Sequence, residues 1–196
     1  SFDTSNVTDM CGMFGVCMSL SSLDLSGFDT TKVTTADSMF SGCRSLTSLD
    51  LSSFNTSQFT DIGSMFYGCS GLTSLDLSSF DTSNVTAMSS MFYNCSGISS
   101  LDLSSFDLTK VERMWGVLLG CTSLIEVNCP KIIPDGCSIE LPHILLDEEG
   151  NEVTAITVAN CNQTLTMENS GFLGEDDGIS YTYEETENVI TLTGGG

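Results

Sequence analysis

Leu72-Thr73-Ser74-Leu75-Asp76-Leu77-Ser78-Ser79-Phe80-Asp81-Thr82-Ser83-Asn84-Val85-Thr86-Ala87-Met88-Ser89-Ser90-Met91-Phe92-Tyr93-Asn94-Cys95 decides the fold, because most of the chain is a variation on it. Phe2, Phe28, Phe54, Phe80 and Phe106 fall 26 residues apart, and Cys17, Cys43, Cys69, Cys95 and Cys121 keep the same interval. Self-similarity at a fixed period of this length marks stacked repeats, in which each unit needs its neighbour to cover its apolar face.

Within one unit, Leu20, Leu23 and Leu25 form an L-x-x-L-x-L run that returns at Leu46-Leu49-Leu51, Leu72-Leu75-Leu77 and Ile98-Leu101-Leu103. Alternation over the last two leucines predicts a short strand with its apolar side chains inward. The outward positions then form three columns: Ser22, Ser48, Ser74 and Ser100; Asp24, Asp50, Asp76 and Asp102; Ser26, Ser52, Ser78 and Ser104. Further along, Val85, Met88, Met91 and Phe92 have helical spacing. Thr8, Thr34, Thr60 and Thr86 are placed to cap that helix, and pairs such as Gly68-Cys69 to stop it. The expectation is an α/β repeat over residues 1–133: a solenoid of about five units with a parallel β-sheet face and short helices behind it.

The fifth unit departs from the pattern. Val117-Leu118 replaces Met-Phe, Ile132 takes the phenylalanine position, and Pro130 and Pro134 break the register. Trp115 is a candidate for covering the open apolar end, with an exposed aromatic binding spot as the alternative. Residues 134–196 read as a β-rich cap or accessory domain, with runs at Ser138–Leu141, Ile144–Leu146, Val153–Val158, Thr164–Met167, Ile179–Tyr183 and Val189–Leu192. Asp147-Glu148-Glu149-Gly150-Asn151 and Gly174-Glu175-Asp176-Asp177-Gly178 read as loops, and Gly194-Gly195-Gly196 as a flexible terminus.

The formal charge of −21, with five Lys and Arg in 196 residues, argues against nucleic acid, whose phosphates call for a basic surface. Anionic membrane surfaces are disfavoured on the same ground, and no run is long and apolar enough to insert in a membrane. The charge suits solubility, and it could attract divalent cations or basic partners. The chain opens within a repeat, so earlier repeats are expected in a longer parent protein.

Nine cysteines raise the question of a disulfide framework. Five of them hold one inward repeat position, which predicts a ladder of buried free thiols. Cys11 lies off the ladder, and the pairing of Cys129, Cys137 and Cys161 is open. Met39, Met65 and Met91 could offer thioethers to a soft metal, but their apolar phase beside Phe40, Phe66 and Phe92 assigns them to the core.

For chemistry, the candidate surface is the sheet face: Ser48, Asp50, Ser52, Ser74, Asp76, Ser78 and Asp102. Carboxylates in adjacent strands, ~4.8 Å apart, repel by ~1 kcal/mol per pair in water. Salt would relieve that repulsion, and Ca²⁺ is a possible counter-ion. The second acidic column, Asp3, Asp29, Asp81 and Asp107 with Asn55 between, is expected to bond its own turn amides. His143 is the only histidine, no nucleophile or phosphate motif is present, and recurring carboxylates single out no acid/base pair, so no enzyme is expected.

These residues carry a resemblance. L-x-x-L-D-L-S-x-F-[DN]-T followed by V-T-x-M-x-x-M-F-x-x-C resembles the BspA-like leucine-rich surface repeat, the bacterial surface protein 26-residue repeat (DUF285), from Ser1 to about Ile132. Leu141 to Thr154 is similar to a module that follows such repeats in surface proteins of Gram-positive bacteria. The resemblance implies a leucine-rich-repeat-like solenoid on a secreted or cell-wall-attached protein. It also implies adhesion to a host or matrix protein or glycan, and it carries over no catalytic residue. The alternative is a structural spacer that projects other domains.

Overall fold

The computed structural model describes residues 3–167 and the backbone of two further strands, 179–184 and 189–194. Phe2, the Gly174-Glu175-Asp176-Asp177-Gly178 loop, Gly195 and Gly196 lie outside the described residues.

The expectation of an α/β solenoid with short helices is corrected. Among the described residues there is no helix, and the regular elements are seven strands: β1 (Ser100–Asp102), β2 (Glu126–Asn128), β3 (Ile139–Leu146), β4 (Glu152–Ile156), β5 (Thr164–Thr166), β6 (Ile179–Glu184) and β7 (Val189–Gly194). The fold is β-rich, with one mixed five-stranded sheet in the order β1-β2-β5-β3-β4 and a separate β6-β7 pair.

Where a helix was predicted, each unit instead runs as a ribbon of consecutive tight turns. Ser38, Ser64 and Ser90 have φ of 56°, 50° and 57°, and Gly42, Gly68 and Asn94 follow four residues later at 75°, 67° and 58°. Left-handed residues at this interval interrupt helical hydrogen bonding, and they match the third position of a type II turn. The amides therefore divide into two sets. Met39, Ser41 and Cys43 donate to carbonyls three residues back, at 3.2, 3.0 and 3.1 Å. Ala36, Ser38, Phe40 and Gly42 leave their own coil and donate to Asp61, Gly63, Met65 and Tyr67 of the next, at 2.9, 2.8, 2.9 and 2.6 Å. The same pattern links the coil on either side, so the buried backbone finds its partners between neighbours. Parallel bridges Asp9–Thr35–Asp61–Ala87–Arg113 mark the register of 26 residues.

The threonines expected as helix caps have another use. Thr34, Thr60 and Thr86 each donate both N–H and Oγ1 to the carbonyl of the equivalent threonine in the coil before. A second threonine column, Thr30, Thr56 and Thr82, is buried and doubly bonded. Each hydroxyl donates to a carbonyl 25 residues ahead at 3.0–3.1 Å and accepts the amide of that same residue at 2.7–2.8 Å.

The continuous parallel sheet over the leucine runs is also corrected. Only Ser100–Asp102 and Glu126–Asn128 pair as strands on this side, and they are parallel. The coils are spaced more widely here than along the turn ribbon: Phe80 and Phe106 ring centres are 6.4 Å apart, against 5.5–5.7 Å along the Phe40–Phe66–Phe92 stack. Strands pair at ~4.8 Å. The leucines nevertheless point inward, and Leu46, Leu51, Leu72, Leu77, Leu101 and Leu103 are buried.

The sheet takes strands from both sides of position 133. β5 pairs antiparallel with β2 and covers its outer edge, and β3 pairs antiparallel with β5 and β4. The two predicted runs at Ser138–Leu141 and Ile144–Leu146 are one strand, with a shift in register between Glu140 and Leu145. Pro142 lies inside that shift, where its missing N–H interrupts no ladder bond. Asp107 bridges Ile132, 25 residues on, so the last unit is one residue short. Ile132 is therefore exposed, and Ile133 is the buried residue.

Candidate functional site

The seven sheet-face residues Ser48, Asp50, Ser52, Ser74, Asp76, Ser78 and Asp102 are all exposed. The structure brings Asp50, Ser52, Asp76 and Ser78 together around a depression of about 80 Å³, and a matching one lies between Asp24, Ser26, Asp50 and Ser52. Ser48, Ser74 and Asp102 line neither. One oxygen of each aspartate is already engaged: Oδ1 of Asp50, Asp76 and Asp102 accepts the amide two residues ahead at 2.8–2.9 Å. Hydroxyl and amide donors from Ser52, Ser78 and Ser104 hold these carboxyls below the usual aspartate range. The column thus builds turns first and offers its remaining oxygens to solvent. Among the described residues no three His, Cys, Asp or Glu side chains gather as a metal site.

The second acidic column behaves as expected, since Asp3, Asp29, Asn55, Asp81 and Asp107 each accept the amide two residues on. The thiol ladder is also present, with Cys43, Cys69, Cys95 and Cys121 buried. Each Sγ lies 2.9–3.2 Å from a phenylalanine carbonyl of the preceding coil. Burial pushes the Cys69 and Cys121 thiols up to about 12. All nine cysteines are free, and Cys17 is exposed because its coil has a described neighbour on one side only. Met39, Met65 and Met91 are fully buried. His143 on β3 meets the Leu124 carbonyl through Nε2, which ties its ring to the backbone.

Trp115 is the main correction among the site residues. It does not cover an apolar end; it is 70% exposed on the outer face of the turn ribbon. The 26-residue register explains why, because Cys11, Asp37, Gly63, Ser89 and Trp115 form one outward column beside the Asp9–Thr35–Asp61–Ala87–Arg113 bridges. Small side chains at Gly63, Ala87 and Ser89 leave a groove of about 270 Å³ between the acidic groups Asp37 and Asp61 and the larger Arg113 and Trp115. Gly63 is needed for this shape, since a Cβ there would stand 2.9 Å from Asp37 Oδ1 and 3.1 Å from Asp61 Oδ1. Tyr67 lines one side and stacks on Tyr93 with ring centres 5.0 Å apart.

The groove is polar as well as aromatic. Arg113 reaches across two coils to Asp61 at 3.5 Å. Asp37 accepts from the Ser38 hydroxyl at 3.0 Å and faces the Cys11 thiol at 3.6 Å, with no Lys or Arg beside it among the described residues. Ser89 Oγ is buried there without a hydrogen-bond partner. An exposed indole, a carboxylate without a cation and an unsatisfied hydroxyl in one concavity can recognise a ligand. Sequence reasoning named Trp115 but not Asp37, Asp61, Gly63 or Ser89. Aligning the repeats at 26 residues would have placed them in adjacent columns.

The chain matches the family model described as "Mycoplasma protein of unknown function, DUF285" over residues 1–75 and 48–128. No curated protein and no solved structure matches it.

Proposed function

This chain belongs to the DUF285 family, and we propose that it is an interaction module at a bacterial cell surface, using the outward face of its stacked coils for adhesion to a protein or glycan. The observation that carries this reading is the groove on the turn ribbon, where an indole 70% exposed stands over a concavity with polar walls. Large exposed aromatics set among polar groups are characteristic of contact surfaces. The stack suits the task because hydrogen bonds from coil to coil fix its outer columns, and rigid columns lose little entropy on binding.

The Ser/Asp columns are the competing face, and a spacer without any binding face is the second reading. Adhesion of beads or cells displaying the chain separates them. Trp115→Ala with unchanged circular dichroism is expected to reduce adhesion, whereas the pair Asp50→Ser and Asp76→Ser is expected to leave most of it. The reverse result would move the contact to the Ser/Asp face. Adhesion no greater than that of bare beads or cells would leave the chain as a spacer and refute the proposal.

A further inference from the structure

We infer that the groove between Asp37 and Trp115 is a docking site for a cationic segment of a partner protein, with one basic side chain laid against the Trp115 indole and the charge of another at Asp37, three coils away. The inference rests on the reading of the chain as an interaction module and adds the chemistry of the partner.

Charge complementarity is the first argument. The protein carries −21 overall, and the groove holds two carboxylates against one guanidinium. A field of this sign raises the encounter rate of basic segments and repels acidic ones. The second argument is the arrangement of groups. A cation over an indole face is attracted by the ring's quadrupole, and a second basic side chain of the same segment gains a charge-assisted hydrogen bond at Asp37. Ser89 Oγ, buried and unpartnered in the groove wall, supplies an acceptor for a further N–H.

The third argument is that the groove already holds one cation of its own. Arg113 lies on Asp61 at 3.5 Å, with its side chain 67% exposed. Exposed pairs of this kind are weak and exchangeable. An incoming cation meets Asp37 free of any described cationic partner and can displace Arg113 from Asp61. Arg113 is therefore a competitor of the ligand, and its removal should tighten binding. A residue that merely shaped the site, or one that recognised an anion, would give the opposite result.

The test uses the whole chain and a short peptide of alternating arginine and glycine, with its neutral citrulline counterpart as control. Trp115 is the only tryptophan, so its fluorescence reports on the groove directly. The arginine peptide is expected to give a saturable change that weakens as salt rises, and the citrulline peptide none. Asp37→Asn should weaken binding by roughly two- to fivefold, Arg113→Gln should tighten it, and Glu148→Gln, which removes an equal charge on the distant β3–β4 loop, should leave it unchanged. Circular dichroism checks that each variant is folded.

Equal binding of the citrulline peptide, equal effects of Asp37→Asn and Glu148→Gln, or weakening by Arg113→Gln would overturn the inference. So would a saturable response to neutral oligosaccharides with none to the arginine peptide. Those results would leave the interaction module standing if Trp115→Ala still abolished adhesion. Loss of both responses would remove the two together.

Discussion

Replacing Phe66 with alanine tests the packing that holds the coils in line. Phe66 is fully buried in the middle of a column, with Phe40 and Phe92 stacked at 5.7 and 5.5 Å. Truncating a buried phenylalanine costs about 3–5 kcal/mol. Loss of both ring contacts places this site near the top of that range, because aromatic pairs add to simple burial. Phe14, the equivalent ring of the first coil, is only half-buried. Its loss should cost about 0.8–1.5 kcal/mol, roughly half the value for full burial of such a side chain. For a chain of this size each kcal/mol moves the melting midpoint by about 2–4 °C. The thermal unfolding midpoint followed by circular dichroism should therefore fall by about 8–20 °C for Phe66→Ala and by less than half as much for Phe14→Ala. Equal shifts, or a Phe66→Ala loss below about 1 kcal/mol, would refute a stack whose strength comes from rings buried between neighbours.

Alkylation of the native protein should label Cys11 and Cys17 first and leave Cys43, Cys69, Cys95, Cys121 and Cys129 unmodified until the chain unfolds, with no reductant needed; mass spectrometry counts the adducts. Thr56→Val should destabilise by about 1–3 kcal/mol, because it removes the bonds to the Asp81 carbonyl and amide from a buried site; urea unfolding midpoints measure it. Acid should also weaken the fold. Asp24, Asp50, Asp76 and Asp102 have folded pKa values below their ordinary ones, chiefly through serine hydroxyl and amide donors. Their contribution is present above the unfolded value of ~3.9 and is lost as the pH falls through the folded values; a melting midpoint that did not drop below that pH would contradict those bonds.

Burial was more legible in the sequence than backbone path. The repeat placed the leucines, Phe40, Phe66, Met65, Met91 and five ladder cysteines inward, because a stack repeats its inside as well as its outside, and of these cysteines Cys17 alone is exposed. The helix was misread because Val85, Met88, Met91 and Phe92 satisfy helical spacing while the backbone between them takes left-handed turns. The signal was partly hidden: serine occupies that position in three coils, and only Gly12 and Gly116 reveal the positive φ. Gly42, Gly68 and Gly120, read as helix stops, are the second left-handed position of each ribbon. The β-rich tail was clear because strands β3 to β7 coincide with short apolar runs between turn residues. The groove was not, since a helical reading gives no reason to align Asp37, Gly63, Ser89 and Trp115 on one outer face.

The emission and quenching of Trp115 in the native protein test the central claim most directly. An indole 70% exposed above the groove should emit close to free tryptophan amide in water and be quenched almost as readily by acrylamide. Blue-shifted, protected emission that moves to the red only on unfolding would place Trp115 inside the stack and contradict both the open groove and the surface built around it.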